Sequence, residues 1–349
     1  MNRYKFGALK DFAAAVLTAA GSHPGEALIV ADNLTSANLR GIDSHGIVRL
    51  PIYERRLTQG QISSPCERQV LRETPATALL DGANGWGAVV GVAGMELAIT
   101  KARGTGVGVV SVVNSNHFGY AAYYGEMALA EDMIGIVFTN ANALVIPFGG
   151  TMPFMGTNPI CICVPAGVEP PFVFDAATTV VARGKISVAA KRKTRIPLDW
   201  GVDKDGVPTD DPEKVAYLSP LGGYKGSDLA IAIDILSGIL GGGPFGPMIG
   251  VLERPERPQQ VGHLLMALRI DAFRDPVEFK RDLDEMCRQL RAQPPASGSD
   301  GVQVAGDPER RQMAERSAEG IPVPVEIEAD LMRLAERYEL APPKPGQLG

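Results

Sequence analysis

The stretch Leu79–Val113, LLDGANGWGAVVGVAGMELAITKARGTGVGVVSVV, decides what kind of α/β protein this is. It reads as strand, glycine turn, helix, glycine, strand. GTGVGVV from Gly104 looks like half of a dinucleotide fingerprint. A Rossmann glycine loop, however, must follow a strand and open a helix. Here the glycines follow a helix and open a strand, and no other stretch supplies the required context. A nucleotide bound by this chain is therefore held by something else.

Upstream, residues 6 to 58 read as helices throughout. FAAAVLTAAG carries Phe6, Leu9, Phe12, Val16 and Leu17 at the helical period. Its basic flank, Arg3, Lys5 and Lys10, superficially resembles a secretory signal, but Asp11 opens the run and a domain helix is the better reading. SHPGEALIVADNLTSANLRG follows, with Ser22 as cap and Gly41 as stop. Downstream come strands in IGIVFTNANALVIPFGG, MGTNPICICVPAG, PFVFDAATTVVARGKI and VGHLLMALRIDAF, with amphipathic helices after Asp275 and in IEADLMRLAERYEL. The tail APPKPGQLG reads as frayed. We divide the chain into a helical unit, 1–73, joined by helices in 308–340; an α/β unit, 74–113 with 255–307; and a second α/β unit, 114–254, for the cofactor.

Composition narrows the function. Of the 349 residues, 45% are hydrophobic and 21% charged, as in an ordinary globular protein. A net charge of −6 disfavours a nucleic-acid partner, and no segment has the apolar length of a membrane span. Cys66, Cys161, Cys163 and Cys287 show no C-x-x-C spacing and read as buried thiols of a cytoplasmic protein.

The chemistry concentrates in GIDSHGIVRLPIYERRLTQG, Gly41–Gly60. His45, Arg49 and Tyr53 stand at i, i+4 and i+8, so one helix capped by Asp43 or Ser44 would present all three on one face. A histidine passes protons near neutral pH and an arginine grips a carboxylate at two points. Pro51 is the complication, since inside a helix it would kink the axis and swing Tyr53 away. The bland alternative is a surface helix with an exposed arginine.

Further candidates lie where strands end. His117, in NSNHFGYAAYYGEMALAEDMIG, falls between a strand and a helix expected from about Gly119, where it either meets a ligand or caps the helix. Asp175 caps the helix after its strand, fixes a histidine tautomer, or orients a cofactor amide. The cluster Arg183, Lys185, Lys191, Arg192, Lys193 and Arg195 is either a solvated face or a phosphate contact, and Lys225 opens another helix in GGYKGS.

DSHGIVRLPIY, NSNHFGYAAYYGEMA, MGTNP, FDAATTVVARGK and GGYKGS, in this order, resemble the malate/L-lactate/L-sulfolactate dehydrogenase family. The likeness spans nearly the whole chain. It implies a mixed α/β, non-Rossmann, L-sulfolactate-dehydrogenase-like fold, a homodimer with the site near the subunit interface, and NAD or NADP as cofactor. Residue by residue, it implies His45 as proton donor and acceptor with Ser44 as relay, and His117 as a second acid/base candidate. It also implies Arg49 on the substrate carboxylate. We assign Tyr53 and Thr157 to the substrate and Asp175 to catalysis. His117, Phe118, Gly119, Tyr120 and Ala121 match one cofactor-binding turn, Phe174, Asp175 and Ala176 another. Lys225 and the strip Gly306, Asp307 and Pro308 are further cofactor positions, and we add Asn140 and Lys185. One departure is the brief AYLSPLGG between EKV and YKG, where some members carry an insertion.

The reaction expected is reversible hydride transfer between nicotinamide and C2 of a small 2-oxo or 2-hydroxy acid. Within the family the rival is reduction of a cyclic or N-methyl ketimine carboxylate. From another class comes a hydrolase or lyase with a metal on His45, His117 and Asp175.

Overall fold

The computed structural model describes residues 1–254 and 256–346, with Lys191 described by its backbone alone. The Lys191 side chain of the basic cluster and the end of the C-terminal tail lie outside the described residues.

After a short strand β1 (Asn2–Tyr4), α1 (Phe6–Ala19) packs against α2 (Pro24–Leu39). Leu9, Phe12, Val16 and Leu17 are buried against Ala27, Val30 and Leu34, the stripe that the helical period marks. The cap of α2 is His23 rather than Ser22: His23 Nδ1 accepts the Gly25 N–H. Ser22 Oγ instead accepts the buried Trp86 indole N–H at 2.9 Å. α3 (Leu50–Thr58) completes this layer.

The expected helical unit ends sooner than residue 73, because β2 (Gln69–Glu73) is the edge strand of a seven-stranded sheet. Its exposed residues and lack of alternation leave little for a sequence reading to find. The other strands are β3 (Thr77–Asp81), β4 (Val107–Ser115), β5 (Met133–Thr139), β6 (Ile160–Val164), β7 (Phe172–Ala176) and, taking the place between β4 and β5, β10 (Val261–Arg269). Only β3 and β4 are parallel; every other pairing is antiparallel. One sheet thus runs through both α/β units that the sequence reading separates.

α4 (Gly87–Thr105) crosses this sheet against β4 and β10. The misleading glycines find their use here. Gly106 ends α4 in the left-handed region, at φ 85°. A Cβ on Gly108 would stand 1.8 Å from the Ala98 carbonyl oxygen, so this residue lets helix and strand meet. The motif serves packing, not phosphate.

α5 (Ala122–Gly125) is a single turn, continued as 3-10 turns over Glu126–Glu131. The helix expected from Gly119 is therefore later and shorter. A third cluster of buried residues, Val145, Met155, Ile186, Ile196, Leu218 and Ala230 among them, joins α6 (Arg183–Arg192), β9 (Tyr217–Leu218), which pairs with β8 (Gly201–Val202), and α7 (Tyr224–Ser237). α8 (Pro276–Arg291) is capped by Asp275, which accepts from Val277 and Glu278 N–H. α9 (Asp307–Glu319), β11 (Ile321–Val323) and α10 (Val325–Arg337) return to the first layer: β11 pairs with β1, and Leu331 and Leu334 enter the α1–α2 core. No helix among the described residues is long and apolar enough to cross a membrane.

Candidate active site

The segment after α2 does not form the expected single helix. Asp43–His45 and Ile47–Arg49 are separate 3-10 turns, broken at Gly46, whose backbone is extended (φ −89°, ψ −150°). Pro51 lies in the first turn of α3, where its missing N–H is no loss. It starts a helix and kinks none. Neither Asp43 nor Ser44 caps a helix. The Asp43 carboxylate accepts from Arg316 of α9, Nη1 at 2.6 Å and Nη2 at 3.0 Å, and from Asn38 Nδ2 at 2.6 Å. Asn38 Oδ1 in turn accepts the Ile47 N–H at 2.6 Å. The turns are shaped from outside, by α2 and α9.

His45, His117 and Tyr53 nevertheless meet. The His45 and His117 rings stack with centroids 5.4 Å apart and planes 12° off parallel. The Tyr53 hydroxyl is 2.6 Å from His117 Nδ1, which the Gly119 N–H also faces at a long 3.4 Å. Ser44 Oγ lies 2.9 Å from His45 Nδ1. The His117 N–H donates to Gln259 Oε1 at 3.0 Å, fixing the turn that follows β4. Gly119 is required here: its φ is 82°, and a Cβ would come within 1.9 Å of Asn33 Oδ1.

Burial, then the Arg49 charge, lowers the His45 pKa to about 4. Burial first, then His45 and Arg49, holds His117 well below the ordinary imidazole range. Both rings are therefore neutral at pH 7, and two stacked imidazoles disfavour each other's charge. Arg49 Nε donates to the Ser44 carbonyl at 2.8 Å and Nη1 to Glu253 Oε1 at 3.1 Å.

Asp175 accepts the Ala122 N–H at 2.8 Å, so it caps α5 from β7 and not α6, whose cap position is Ala182. Burial raises its pKa to about 6, against the pull of the Ala122 and Ala121 N–H groups and Arg40. Among the described residues no hydrogen bond joins it to either histidine; hydroxyls take both Nδ1 positions. Nor do three His, Cys, Asp or Glu side chains anywhere among them come together as a metal centre would need. The geometry thus gives the metal alternative no ligand set.

Beside Ser44 opens a cleft of about 870 Å³ lined by Asp175, Ala176, Thr179, Lys185 and Arg192, among others. Its size suits a small-molecule or cofactor site. α6 begins there without a side-chain cap, leaving N–H groups for an anion. A nicotinamide cofactor fits this donor set: an apolar wall, two cations and a free helix start. Phe174 stands on β7 next to Asp175.

The remaining candidates have these surroundings. Phe118 lies between the rings of His263 and Tyr124, with centroids at 4.5 Å and 4.8 Å, and Tyr120 is buried beneath Arg40. The Asn140 side chain bonds Asp234, the Pro244 carbonyl and the Gly262 N–H. The Thr157 carbonyl accepts twice from Thr178. Lys225 stands at the start of α7 over the Tyr224 ring, away from the cleft lining. Gly306 and Pro308 form the start of α9. Asp307 is held there by Arg291, the Val304 N–H and Arg310, which keep its carboxyl well below the usual range despite burial. Its neighbour Glu309 is the residue that reaches the cleft.

Fold and site together describe an oxidoreductase outside the Rossmann group. The chain belongs to the malate/L-lactate dehydrogenase family, whose model matches residues 4–332. It is 43% identical over 303 residues to L-sulfolactate dehydrogenase of Methanocaldococcus jannaschii, covering 86% of this chain and 87% of that one. To the NAD(+)-dependent ureidoglycolate dehydrogenase of Escherichia coli K12 it is 35% identical, with 88% of each chain covered. The crystal structure of malate dehydrogenase from Entamoeba histolytica superposes with a TM-score of 0.93 at 34% identity, covering 98% of this chain and 99% of that one.

Proposed function

We propose that the protein transfers a hydride reversibly between NAD or NADP and C2 of a small 2-oxo or 2-hydroxy carboxylic acid. The single observation that carries this reading is the stacked His45–His117 pair, with Arg49 near enough to depress both rings, beside the Ser44 cleft. When bound, the nicotinamide supplies the hydride acceptor or donor. Asp175, Ala176 and Lys185 are the residues of the cleft that would hold it, and Lys185 and Arg192, which line the same cleft, would meet its phosphates.

Arg49 grips the substrate carboxylate and fixes which face of C2 is presented. His45 takes the hydroxyl proton in oxidation and returns it to the developing alkoxide in reduction. Its Nδ1 meets the Ser44 hydroxyl, which connects the ring to the cleft. A substrate carboxylate on Arg49 offsets part of the charge that depresses His45, so binding moves the imidazole toward a useful pKa. His117, fixed by Tyr53, supports His45 by stacking.

We further propose a homodimer working in the cytoplasm. Apolar side chains on and near α7 support the dimer: Ile235, Leu240, Phe148 and Met152 are exposed, the last by 68%. All four cysteines are free thiols, in keeping with a reducing compartment.

The test is a panel of NADH and NADPH against pyruvate, oxaloacetate and Δ1-piperideine-2-carboxylate, followed at the nicotinamide absorbance. Turnover of a 2-oxo acid supports the reading. Turnover of the cyclic imine alone would replace it with ketimine reduction.

A further inference from the structure

The segment between α7 and β10 is stitched to α3 by arginines. Arg56 is fully buried and donates to the carbonyls of Leu252 at 3.3 Å and Arg257 at 3.1 Å. Arg55 donates to the Glu253 carbonyl at 3.1 Å. The Glu253 backbone is thus pinned to the helix that starts directly after Arg49. Its side chain is free by comparison, 61% exposed, and its carboxylate lies on Arg49 Nη1 at 3.1 Å.

That placement conflicts with a substrate bound at Arg49. A two-point grip on a carboxylate needs a pair of guanidinium N–H groups on one edge. Arg49 Nε is already committed to the Ser44 carbonyl, which leaves the Nη1–Nη2 edge, and Glu253 occupies Nη1. We propose that Glu253 is an internal competitor for Arg49: its carboxylate holds the anchor in the free protein and swings aside when a substrate carboxylate arrives, setting the affinity for the acid. This rests on the reading of Arg49 as the substrate anchor. The exchange needs only side-chain rotation, because the main chain is fixed by Arg55 and Arg56. It is also cheap, because an exposed ion pair contributes little net stability.

The experiment compares the holoenzyme with Glu253→Gln, Glu253→Asp and Arg49→Lys, using NADH with pyruvate or oxaloacetate, whichever the parent turns over. Glu253→Gln is expected to lower KM by about two- to five-fold, the size of an exposed pair, with kcat unchanged. Glu253→Asp, too short to reach Nη1, is expected to do the same. The gap from the parent closes as salt is raised, since screening removes the competitor. Oxamate titrated calorimetrically into the NADH complex should show the same gain in affinity. An unchanged or raised KM in Glu253→Gln, with Arg49→Lys strongly impaired, overturns the competitor and leaves the anchor standing. If Arg49→Lys matches the parent, the anchor itself is wrong.

Discussion

The Tyr53 hydroxyl sits 2.6 Å from His117 Nδ1, with Tyr53 buried and His117 half-buried. Burial drives the Tyr53 pKa far up, so the hydroxyl keeps its proton and donates it. With the Gly119 N–H facing the same nitrogen, His117 is held as the tautomer protonated at Nε2. Tyr53→Phe removes that donor from a half-buried acceptor, a loss of about 1–3 kcal/mol. We expect kcat to fall by about five- to one-hundred-fold while NADH affinity stays near that of the parent. Stopped-flow NADH binding and steady-state turnover check the two halves.

His45 and Ser44 should separate by magnitude. His45→Gln keeps a polar side chain without a titratable nitrogen, and loss of general acid–base catalysis typically costs about 10²–10⁴-fold in kcat. Ser44→Ala removes only the Nδ1 partner, so the drop should be about ten-fold, with the pH profile of kcat displaced. Equal losses in the two variants would contradict the assignment of His45 as the group that moves the proton.

Stability should depend on pH with a sign set by four groups, His263 buried and His45, His117 and Asp175 half-buried. His45, His117 and His263 have folded pKa values below the ordinary imidazole value near 6.5: about 4 for His45, about 3 for His263, both through burial first. The unfolded chain therefore binds more protons below pH 6.5. The stabilisation is complete above that pH and is lost as pH falls toward the folded values. Asp175, raised by burial to about 6, acts in the opposite direction between the ordinary carboxyl value and pH 6. Near pH 5 three histidines less one carboxyl leave a net two protons, or about 2–3 kcal/mol per pH unit. Urea midpoints measured at pH 6 and pH 5 should fall accordingly. His263→Gln should flatten the slope by about half.

Arg316 reaches from α9 to Asp43 and to the Asn38 carbonyl, and touches neither His45 nor His117. Removing a buried charged donor costs about 1–3 kcal/mol. Arg316→Gln should lower Tm by several degrees and also loosen the turn that carries Ser44 and His45. The expected signature is a kcat loss larger than the KM change, read from steady-state kinetics at a temperature well below the transition.

Much of the fold was legible because α1, α4, β4 and β10 carry strong periodicity or long apolar runs bounded by glycine. What sequence order alone could not supply was β10 lying between β4 and β5, a pairing across more than a hundred residues. The site was legible as residue types: His45, His117 and Tyr53 do meet. The route by which they meet was not. Asn38, Arg316 and Gln259, which shape the turns, carry no local signal and act only through tertiary hydrogen bonds. His263 left one trace, a lone polar residue in the apolar run VGHLLMALR. Its ring is fixed by the hydroxyls of Ser115 and Thr139, each at 2.8 Å, and lies flat against Phe118. Of the roles the sequence offers Asp175, capping its own following helix, fixing a histidine tautomer or orienting a cofactor amide, the first is replaced by a cap on α5, brought close by the sheet.

Hydride delivery to C2 of a carboxylate-anchored substrate leaves an isotopic trace in the product. The most direct measurement is mass spectrometry of the 2-hydroxy acid formed from NADH deuterated at C4 on either face. One labelled face should place a single deuterium on C2 and the other none. Product without deuterium from both cofactors, or no 2-hydroxy acid formed from pyruvate or oxaloacetate, would contradict the account.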